Sequence, residues 1–330
     1  MNFSQLMSLA TGHVEARIVQ TALELKLFEA LQGAAQAAEK IAEGLNLDRR
    51  ATELLLNALC ALELLHKDGD AFSLSAAAQT YLLERSPQSL GGMIRFESSL
   101  WRCWEQLPEA IRSGTAVRPA NMYQDNRRET EVFIGAMDSL VKARGDADVL
   151  IDVIDWSEVN TLLDIGSGPA TYPIALCRRF SELRATIFDL PGTLTVTEGY
   201  VREAGMTERI QLIAGDYRSD PIPGKYDVIF LSNVVHGENF ERNELLIAKL
   251  AKHLAPSGRI IIKDHILDDA RARPPVGAIF SILMLLTTDG GRCYSYAEIK
   301  GWLEQAGLSQ VREVVLPAPL TSSLVIAENH

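Results

Sequence analysis

From residue 161 onward the chain alternates short apolar runs with longer amphipathic segments. The apolar runs are TLLDIG, RATIFDL, RIQLIAGD, YDVIFLSNVVH and RIIIKDHIL, and helical patterns such as TYPIALCRRF and ELLIAKLAKHL lie among them. Alternation of this kind is typical of βαβ units, which place parallel strands in one sheet with helices on both faces. The pattern therefore predicts an α/β domain with a Rossmann-like, doubly wound and mostly parallel sheet over residues 156–330.

The first ninety residues have a helical pattern instead. Asp48 offers an N-cap before the segment RRATELLLNALC, and the turn Asp68-Gly69-Asp70 separates two short segments that predict a hairpin. Helices followed by a hairpin are the order of a winged-helix module. We therefore predict an all-helical winged-helix domain over residues 1–90, followed by a helical linker with pocket helices over residues 91–155.

Charge argues against a DNA-reading role for this first domain. Residues 1–90 hold seven Lys or Arg and eleven Asp or Glu, and the third helical segment is mostly Leu and Ala after Arg49 and Arg50. A helix that reads a DNA groove needs polar and basic side chains on its exposed face. The whole chain has a formal net charge of −11, which repels nucleic acid and anionic membranes. We predict dimerisation through this domain, with no nucleic-acid or membrane partner.

Other features of the sequence predict a cytoplasmic protein without a metal. The apolar run IFSILMLL covers only residues 279–286, whereas a bilayer span needs roughly 20 residues. The start, MNFSQLMSLATGHVEAR, lacks the pattern of a signal peptide. The four cysteines are far apart and form no metal-ligand spacing, so we expect free thiols.

Acidic residues lie at three predicted strand ends. A glycine-rich turn with Gly166 and Gly168 follows Asp164, and Asp189 ends the next strand, where a carboxylate can accept hydrogen bonds from a ribose diol. This spacing also suits a nicotinamide dinucleotide, but the glycines lack the GxGxxG pattern of that class. Asp216 ends a third strand and can accept from an adenine amino group. Three carboxylates suit a cationic nucleoside without phosphates.

These motifs give the chain a clear resemblance to a known family. The segments LLDIGSGPA, FDLP, GDY, NVVH, APSGRIIIKD and GGRCYSYAEIKGWLEQAGL resemble those of class I S-adenosylmethionine-dependent methyltransferases. Nearly the whole chain is similar to the small-molecule O-methyltransferases of the caffeate, acetylserotonin and bacterial polyketide type. The resemblance implies a homodimer that uses S-adenosylmethionine and a small-molecule acceptor.

The resemblance also implies roles for individual residues. It assigns Gly166 and Gly168 to the methionine part of the cofactor, while Ser232 takes a place where relatives often have a lysine or serine near the cofactor. The expected cofactor-binding residues are Asp164, Gly166, Gly168, Asp189, Leu190, Asp216, Tyr217 and Ser232. The acceptor pocket is expected to include Trp101, Trp104, Phe280 and Met284.

His236 is the candidate general base. A phenol with a pKa near 10 is a poor nucleophile at neutral pH until a base takes its proton, and histidine titrates closest to neutrality. The alternative is that His236 caps the helix that follows. Asp264 ends the next predicted strand, 28 residues later, and consecutive strands are usually neighbours, so we expect it to orient His236. Alternation along that strand makes His265 a surface or packing residue.

The sequence departs from the family pattern at two places. Relatives usually have Asp and Trp after the histidine, but this chain has Gly237 and Glu238, and Cys293 replaces an acid that many relatives carry. We therefore predict a His236–Asp264 dyad in an O-methyltransferase that acts on a small, aromatic hydroxyl compound without a metal. The open alternatives are methyl transfer to carbon or nitrogen, and a non-catalytic winged-helix regulator that senses S-adenosylmethionine.

Overall fold

The computed structural model of the protein describes residues 1–118, 124 and 126–329. The chain forms two compact units. The first unit comprises Met1–Leu100 and Gly135–Ala143, and the second comprises Trp101–Ile134 and Arg144–His330. The predicted division at residues 90 and 155 stays a prediction beside these bounds.

The first unit is mostly helical and has a small sheet. Its elements are α1 (Phe3–Glu24), α2 (Leu27–Ala30), β1 (Gln36–Ala37), α3 (Ala38–Leu45), α4 (Arg49–Ala61), β2 (Leu65–Asp68), β3 (Ala71–Leu74), α5 (Ala76–Tyr81) and α6 (Gly91–Ser99). The three strands are antiparallel in the order β1-β3-β2. Leu23, Phe28, Leu56 and Phe72 are almost fully buried and form the centre of this unit.

Local sequence signals explain several boundaries in this unit. The Asp48 side chain accepts a hydrogen bond from the Ala51 N–H at 2.7 Å, so its predicted capping of α4 is confirmed. Strands β2 and β3 form the hairpin that Asp68-Gly69 predicts. The first half of α1 leaves large apolar side chains in solvent, with Phe3 81% and Leu9 68% exposed.

The second unit begins with helices and continues as alternating strands and helices. The helices are α7 (Trp101–Glu105), α8 (Leu107–Ser113), α9 (Arg127–Arg144), which supplies residues to both units, α10 (Asp146–Val153), α11 (Thr171–Arg179), α12 (Pro191–Glu203), α13 (Phe240–Ala251), α14 (Pro275–Thr287) and α15 (Tyr296–Gln305). The strands are β4 (Thr161–Ile165), β5 (Arg184–Asp189), β6 (Ile210–Ala214), β7 (Tyr226–Ser232), β8 (Leu254–Asp264), β9 (Ser309–Val315) and β10 (Ser323–Glu328).

These strands form one sheet in the order β6-β5-β4-β7-β8-β10-β9. The five strands from β4 to β8 pair in parallel, and β10 is antiparallel to both β8 and β9. The predicted α/β class with a mostly parallel sheet is therefore confirmed. The strand order reverses between β4 and β7, and ligands of open α/β sheets bind beyond the carboxyl ends of the strands at such a point.

The sheet is buried on both faces. Leu163, Ile229, Phe230 and Ile261 have no measurable exposure, as expected for central parallel strands covered by helices. Cys103, Cys177 and Cys293 are buried free thiols, and Cys60 is a partly buried one. Within residues 1–118, 124 and 126–329, every helix is too short or too polar to cross a membrane.

Candidate active site

The loop after β4 brings main chain to the carboxyl edge of the sheet. Gly166 and Gly168 have φ angles of 63° and 60°, in the left-handed region that favours glycine. A Cβ atom at Gly166 would lie 3.2 Å from the Val234 side chain, which is tighter than ordinary van der Waals contact. The backbone of this loop therefore lies close to the end of β7, and no side chain covers it at Gly166 or Gly168.

Asp189 holds this loop from the neighbouring strand. Its carboxylate accepts hydrogen bonds from the Gly168 N–H at 2.9 Å and from the Leu190 N–H at 2.7 Å, and the residue is 7% exposed. Burial raises the pKa of Asp189 to about 6, although these main-chain donors oppose the change. The two main-chain donors, together with a hydrogen bond from the Thr193 side chain, fix the orientation of the carboxylate.

Asp164 is a second buried carboxyl group beside Asp189. It is 1% exposed and accepts a hydrogen bond from the Ser167 hydroxyl at 2.6 Å. Burial raises the pKa of Asp164 to about 8; the Ser167 hydrogen bond opposes this rise, and the charge of Asp189 adds to it. Two carboxyl groups that share a dry environment favour a cationic ligand, because a positive charge would stabilise both as carboxylates.

Asp216 and Tyr217 follow β6 at the same edge of the sheet. Asp216 forms an ion pair with Arg218 at 2.8 Å, and hydrogen bonds from Arg218 lower the pKa of the Asp216 carboxyl against the opposing effect of burial. The Tyr217 hydroxyl donates to Glu238 Oε1 at 2.9 Å. This hydrogen bond connects Tyr217 with the segment that follows His236, a contact that the sequence did not indicate.

Strand β7 is shorter than the apolar run YDVIFLSNVVH that predicts it. The strand ends at Ser232 because Asn233 adopts a left-handed conformation with φ of 57°, and residues 235–237 form a single 3₁₀ turn. The Asn243 side chain donates to the Val235 carbonyl at 2.8 Å and holds this turn. His236 therefore projects from a turn beyond the strand.

His236 and Asp264 are in direct contact. The Nδ1 atom of His236 lies 2.8 and 3.0 Å from the two carboxylate oxygens of Asp264, and the His236 N–H donates to the same carboxylate at 3.3 Å. Burial raises the pKa of Asp264, but the charge and hydrogen bond of His236 outweigh it and hold that pKa below its usual value. The structure thus confirms the predicted proximity.

This contact fixes the tautomer of His236. Because an ionised carboxylate can only accept, Nδ1 carries a proton, and in the neutral form of the ring Nε2 keeps the lone pair. The alternative role of His236 as a helix cap does not hold, since the Asn239 side chain caps α13 by accepting from the Arg242 N–H at 2.9 Å. A neutral imidazole oriented by a carboxylate is the arrangement of a general base.

Helix α14 supplies an apolar wall beside this pair. The Phe280 ring packs edge-on against the His236 ring, with centroids 4.8 Å apart. Met284 is 6% exposed and lies on the same helix. Helix α7, which carries the partly buried Trp101 and Trp104, packs against α14. Of the four predicted pocket residues, Phe280 is the one in ring contact with His236.

A largely buried cluster of charged side chains, Arg144, Asp146 and Lys263, was not predicted from the sequence. Arg144 donates to both oxygens of Asp146 at 2.9 and 2.8 Å, and Lys263 Nζ forms an ion pair with Asp146 Oδ2 at 3.0 Å. The Tyr172 hydroxyl donates to the same oxygen at 3.3 Å and also hydrogen-bonds with Ser232. The lysine inside the apolar strand RIIIKD was the available signal.

The fold and these side chains define a Rossmann-like enzyme whose acidic strand ends and His–Asp pair suit a class I methyltransferase. The family model for the O-methyltransferase domain matches residues 106–309, and the model for the O-methyltransferase dimerisation domain matches residues 7–84. The chain belongs to the O-methyltransferase family.

Two curated relatives and one solved structure extend this match over almost the whole chain. The tetracenomycin polyketide synthesis 8-O-methyl transferase TcmO of Streptomyces glaucescens is 31% identical and aligns over 97% of this chain and 95% of its own length. The 3-hydroxy-5-methyl-1-naphthoate 3-O-methyltransferase of Streptomyces sahachiroi is also 31% identical and aligns over 97% of this chain and 93% of its own length. The solved structure of PigF, a Serratia methyl transferase, with SAH has a TM-score of 0.90 at 26% identity and covers 100% of both chains.

Proposed function

We propose that this O-methyltransferase transfers a methyl group from S-adenosylmethionine to a hydroxyl oxygen of a small aromatic metabolite, with His236 as the general base. The contact of His236 Nδ1 with the Asp264 carboxylate at 2.8 Å is the observation that carries the proposal. A phenol is mostly protonated at neutral pH, so a base that removes its proton raises its reactivity. The relatives above, whose names describe O-methylation of a polyketide and a hydroxynaphthoate, support an aromatic acceptor.

His236 would take the hydroxyl proton at Nε2. The resulting imidazolium would donate its Nδ1–H to Asp264, whose lowered pKa keeps it ionised and therefore able to stabilise the positive charge. The carboxylate is 2% exposed, so little water competes for it. The distances of 2.8 and 3.0 Å from His236 Nδ1 to the two Asp264 oxygens show full contact within the pair.

The residues at the sheet edge fit S-adenosylmethionine. This cofactor supplies a methyl group on a positively charged sulfonium, which makes the methyl carbon electrophilic. Asp189 would accept from the ribose hydroxyls, and the exposed backbone of Gly166 and Gly168 would approach the methionine part. The buried Asp164 would lie on the side of the positive charge. The raised pKa values of Asp164 and Asp189 support this assignment, because a nearby cationic ligand would lower both pKa values and stabilise the ionised carboxylates.

The remaining assigned residues would complete the cofactor site. Asp216 would turn from Arg218 to the adenine amino group, and Tyr217 would lie near the adenine ring, held by its hydrogen bond to Glu238. Leu190 follows Asp189 at the ribose, and Ser232 ends β7 beside Tyr172. On the acceptor side, Phe280, Met284, Trp101 and Trp104 would cover a flat ring.

We also propose that the enzyme is a homodimer. The match to the dimerisation domain over residues 7–84 supports this assembly. The apolar side chains of Phe3, Leu6 and Leu9 are 81%, 57% and 68% exposed in the single chain, and a second copy would cover them. Residues near the start, such as Phe3 and Met7, would then reach the partner's pocket. The cytoplasmic location stays a prediction.

A screen of phenols and naphthols with methyl-labelled S-adenosylmethionine tests the reaction. We expect label to appear as an aryl methyl ether, identified by mass spectrometry and by demethylation with boron tribromide, which releases the methyl group as bromomethane and leaves C-methyl groups intact. A labelled product that resists cleavage, or a labelled amine from an aminophenol, would favour transfer to carbon or nitrogen. S-adenosylmethionine binding together with retention of the protein on DNA at moderate salt, without any transfer, would favour the regulator.

A further inference from the structure

His265, the residue after Asp264, lies in the same group of side chains as His236. Its ring packs against Phe280 with centroids 5.1 Å apart, and the His236 ring packs against the same phenylalanine at 4.8 Å. The two imidazoles therefore lie within about 10 Å of each other across one aromatic ring. The Asp264 carboxylate also accepts from the His265 N–H at 2.7 Å, so one carboxylate fixes both segments. The contact with Phe280 agrees with the predicted surface or packing role of His265.

The tautomer of His265 follows from its hydrogen bond. Its Nδ1 lies 2.9 Å from the Thr321 carbonyl oxygen, which can only accept, so Nδ1 carries the proton. Burial lowers the pKa of His265 despite the nearby charge of Asp264, so the ring is neutral at pH 7 and Nε2 keeps its lone pair. Across residues 1–118, 124 and 126–329, Nε2 has no hydrogen-bond partner, and His265 is only partly buried.

The two rings thus offer the same chemistry. Each donates from Nδ1 to a fixed oxygen and keeps a lone pair at Nε2. His236 is proposed to accept the proton of the hydroxyl that becomes methylated. A second lone pair, on the other imidazole that contacts Phe280, suits a second O–H group on the same flat ligand, because a hydroxyl can donate to it whereas a methyl ether or a bare ring carbon cannot.

We propose that His265 is a specificity-determining residue that accepts a hydrogen bond from a second hydroxyl group of the acceptor, so that the enzyme prefers aromatic compounds with at least two hydroxyls. This inference rests on the proposed function, since it assumes that the acceptor lies against His236. A polar group that fixes a ligand in an otherwise apolar pocket discriminates against analogues that lack the matching donor.

Two substitutions separate this role from a structural one. His265→Asn keeps an amide N–H near the Nδ1 position, so the bond to the Thr321 carbonyl can persist, but it removes the acceptor at Nε2. His265→Gln keeps an oxygen near Nε2 and gives up the Nδ1 donor. A residue that only supports the fold would tolerate Asn better than Gln, whereas a residue that binds a hydroxyl would tolerate Gln better than Asn in ligand affinity.

The experiment measures affinities by calorimetry for the dimeric protein saturated with S-adenosylhomocysteine. The probes are 1-naphthol and its 1,3-, 1,6- and 1,8-dihydroxy analogues, whose second hydroxyl is held at three fixed positions. We expect the wild-type protein to bind at least one diol about 3- to 10-fold more tightly than 1-naphthol, as one net hydrogen bond implies. His265→Asn should lower the affinity for the preferred diol more than the affinity for 1-naphthol and so erase this preference, while His265→Gln should keep most of it.

Equal affinity of the wild-type protein for all four probes would overturn the proposal, as would a preference that survives in His265→Asn. An equal loss of affinity for 1-naphthol and the diols in His265→Asn would assign the residue to pocket shape alone. Methyl transfer to the same probes is measured in parallel. Transfer without a diol preference refutes this inference only, and a His265-dependent preference without transfer refutes the proposed function only.

Discussion

The carboxylate of Asp189 gives a prediction with two independent measurements. It accepts from the Gly168 and Leu190 N–H groups at 2.9 and 2.7 Å, so its direction is fixed before any ligand binds. If Asp189 binds the ribose as proposed, Asp189→Ala removes charge-assisted hydrogen bonds to the ribose hydroxyls, a loss of roughly 1.5–3 kcal/mol. At about 1.4 kcal/mol per factor of ten, the affinity for S-adenosylhomocysteine should fall about 10- to 150-fold.

The second measurement uses the raised pKa of Asp189, about 6. Only the ionised group can accept from both ribose hydroxyls, and at pH 5.5 about a quarter of it would be ionised, so wild-type affinity should be about fourfold weaker there than at pH 7.5. Because the folded-state pKa is raised, the contribution of Asp189 to stability is present in acid and is lost as the pH rises through about 6. Acidification to pH 5.5 therefore does not unfold the protein through this group.

Both expectations can be tested by isothermal titration calorimetry, which measures the affinity for S-adenosylhomocysteine at pH 5.5 and pH 7.5. Asp189→Ala should lose the part of the pH dependence that Asp189 causes, while Asp164, whose pKa burial raises to about 8, remains in both proteins. Asp269→Ala, a change at an exposed carboxylate, is the matched control and should bind like the wild type. Unchanged affinity of Asp189→Ala, or the same pH dependence in both proteins, would refute this account of ribose binding.

Two further predictions concern stability and assembly. Asp146→Asn leaves Lys263 and Arg144 without their counter-charge and should lower the free energy of unfolding, measured by urea denaturation, by about 3–5 kcal/mol. The control Glu304→Gln, at the exposed ion pair with Lys300, should cost less than about 1 kcal/mol. Equal effects of the two substitutions would show that the cluster adds no stability. The dimer interface should bury more than roughly 2,000 Å² of surface. Light scattering should therefore find no folded monomer at micromolar concentration, and the double variant Leu6→Glu, Leu9→Glu should weaken assembly. A stable wild-type monomer would contradict this prediction.

Local sequence patterns predicted the helices and strands, and the expected strand order predicted which strand ends lie next to each other. His236 and Asp264 are 28 residues apart, but β7 and β8 are consecutive parallel strands, so their ends had to be neighbours. Asp189 could likewise be placed beside the glycine loop, because β5 pairs with β4. In each case the sequence spacing and the sheet topology determine the contact.

Contacts made by packing were not predictable in this way. Asp146 and Lys263 meet across 117 positions, and the contact of Tyr217 with Glu238 depends on where the turn after β7 places the chain. That turn depends on the left-handed conformation of Asn233, which a run of apolar residues on both sides conceals. The placement of His265 near Phe280 depends on the path of α14, which the sequence of β8 does not specify.

The proposed reaction depends on His236 removing the proton of the acceptor hydroxyl. His236→Ala should keep the fold and the affinity for S-adenosylhomocysteine, and should lose methyl transfer on the order of 10²–10⁴-fold at pH 7. His236→Gln should do little better, Asp264→Asn should cost less because the imidazole remains, and the exposed His66→Ala should behave like the wild type.

The pH profile of His236→Ala is the most direct test. Its deficit in single-turnover rate should shrink as the pH approaches the pKa of the acceptor hydroxyl, where the phenolate forms without a base. The account predicts this convergence together with the large deficit at pH 7. Near wild-type turnover of His236→Ala at pH 7 on an acceptor that the wild-type enzyme methylates on oxygen, or a deficit that stays constant with pH, would contradict it.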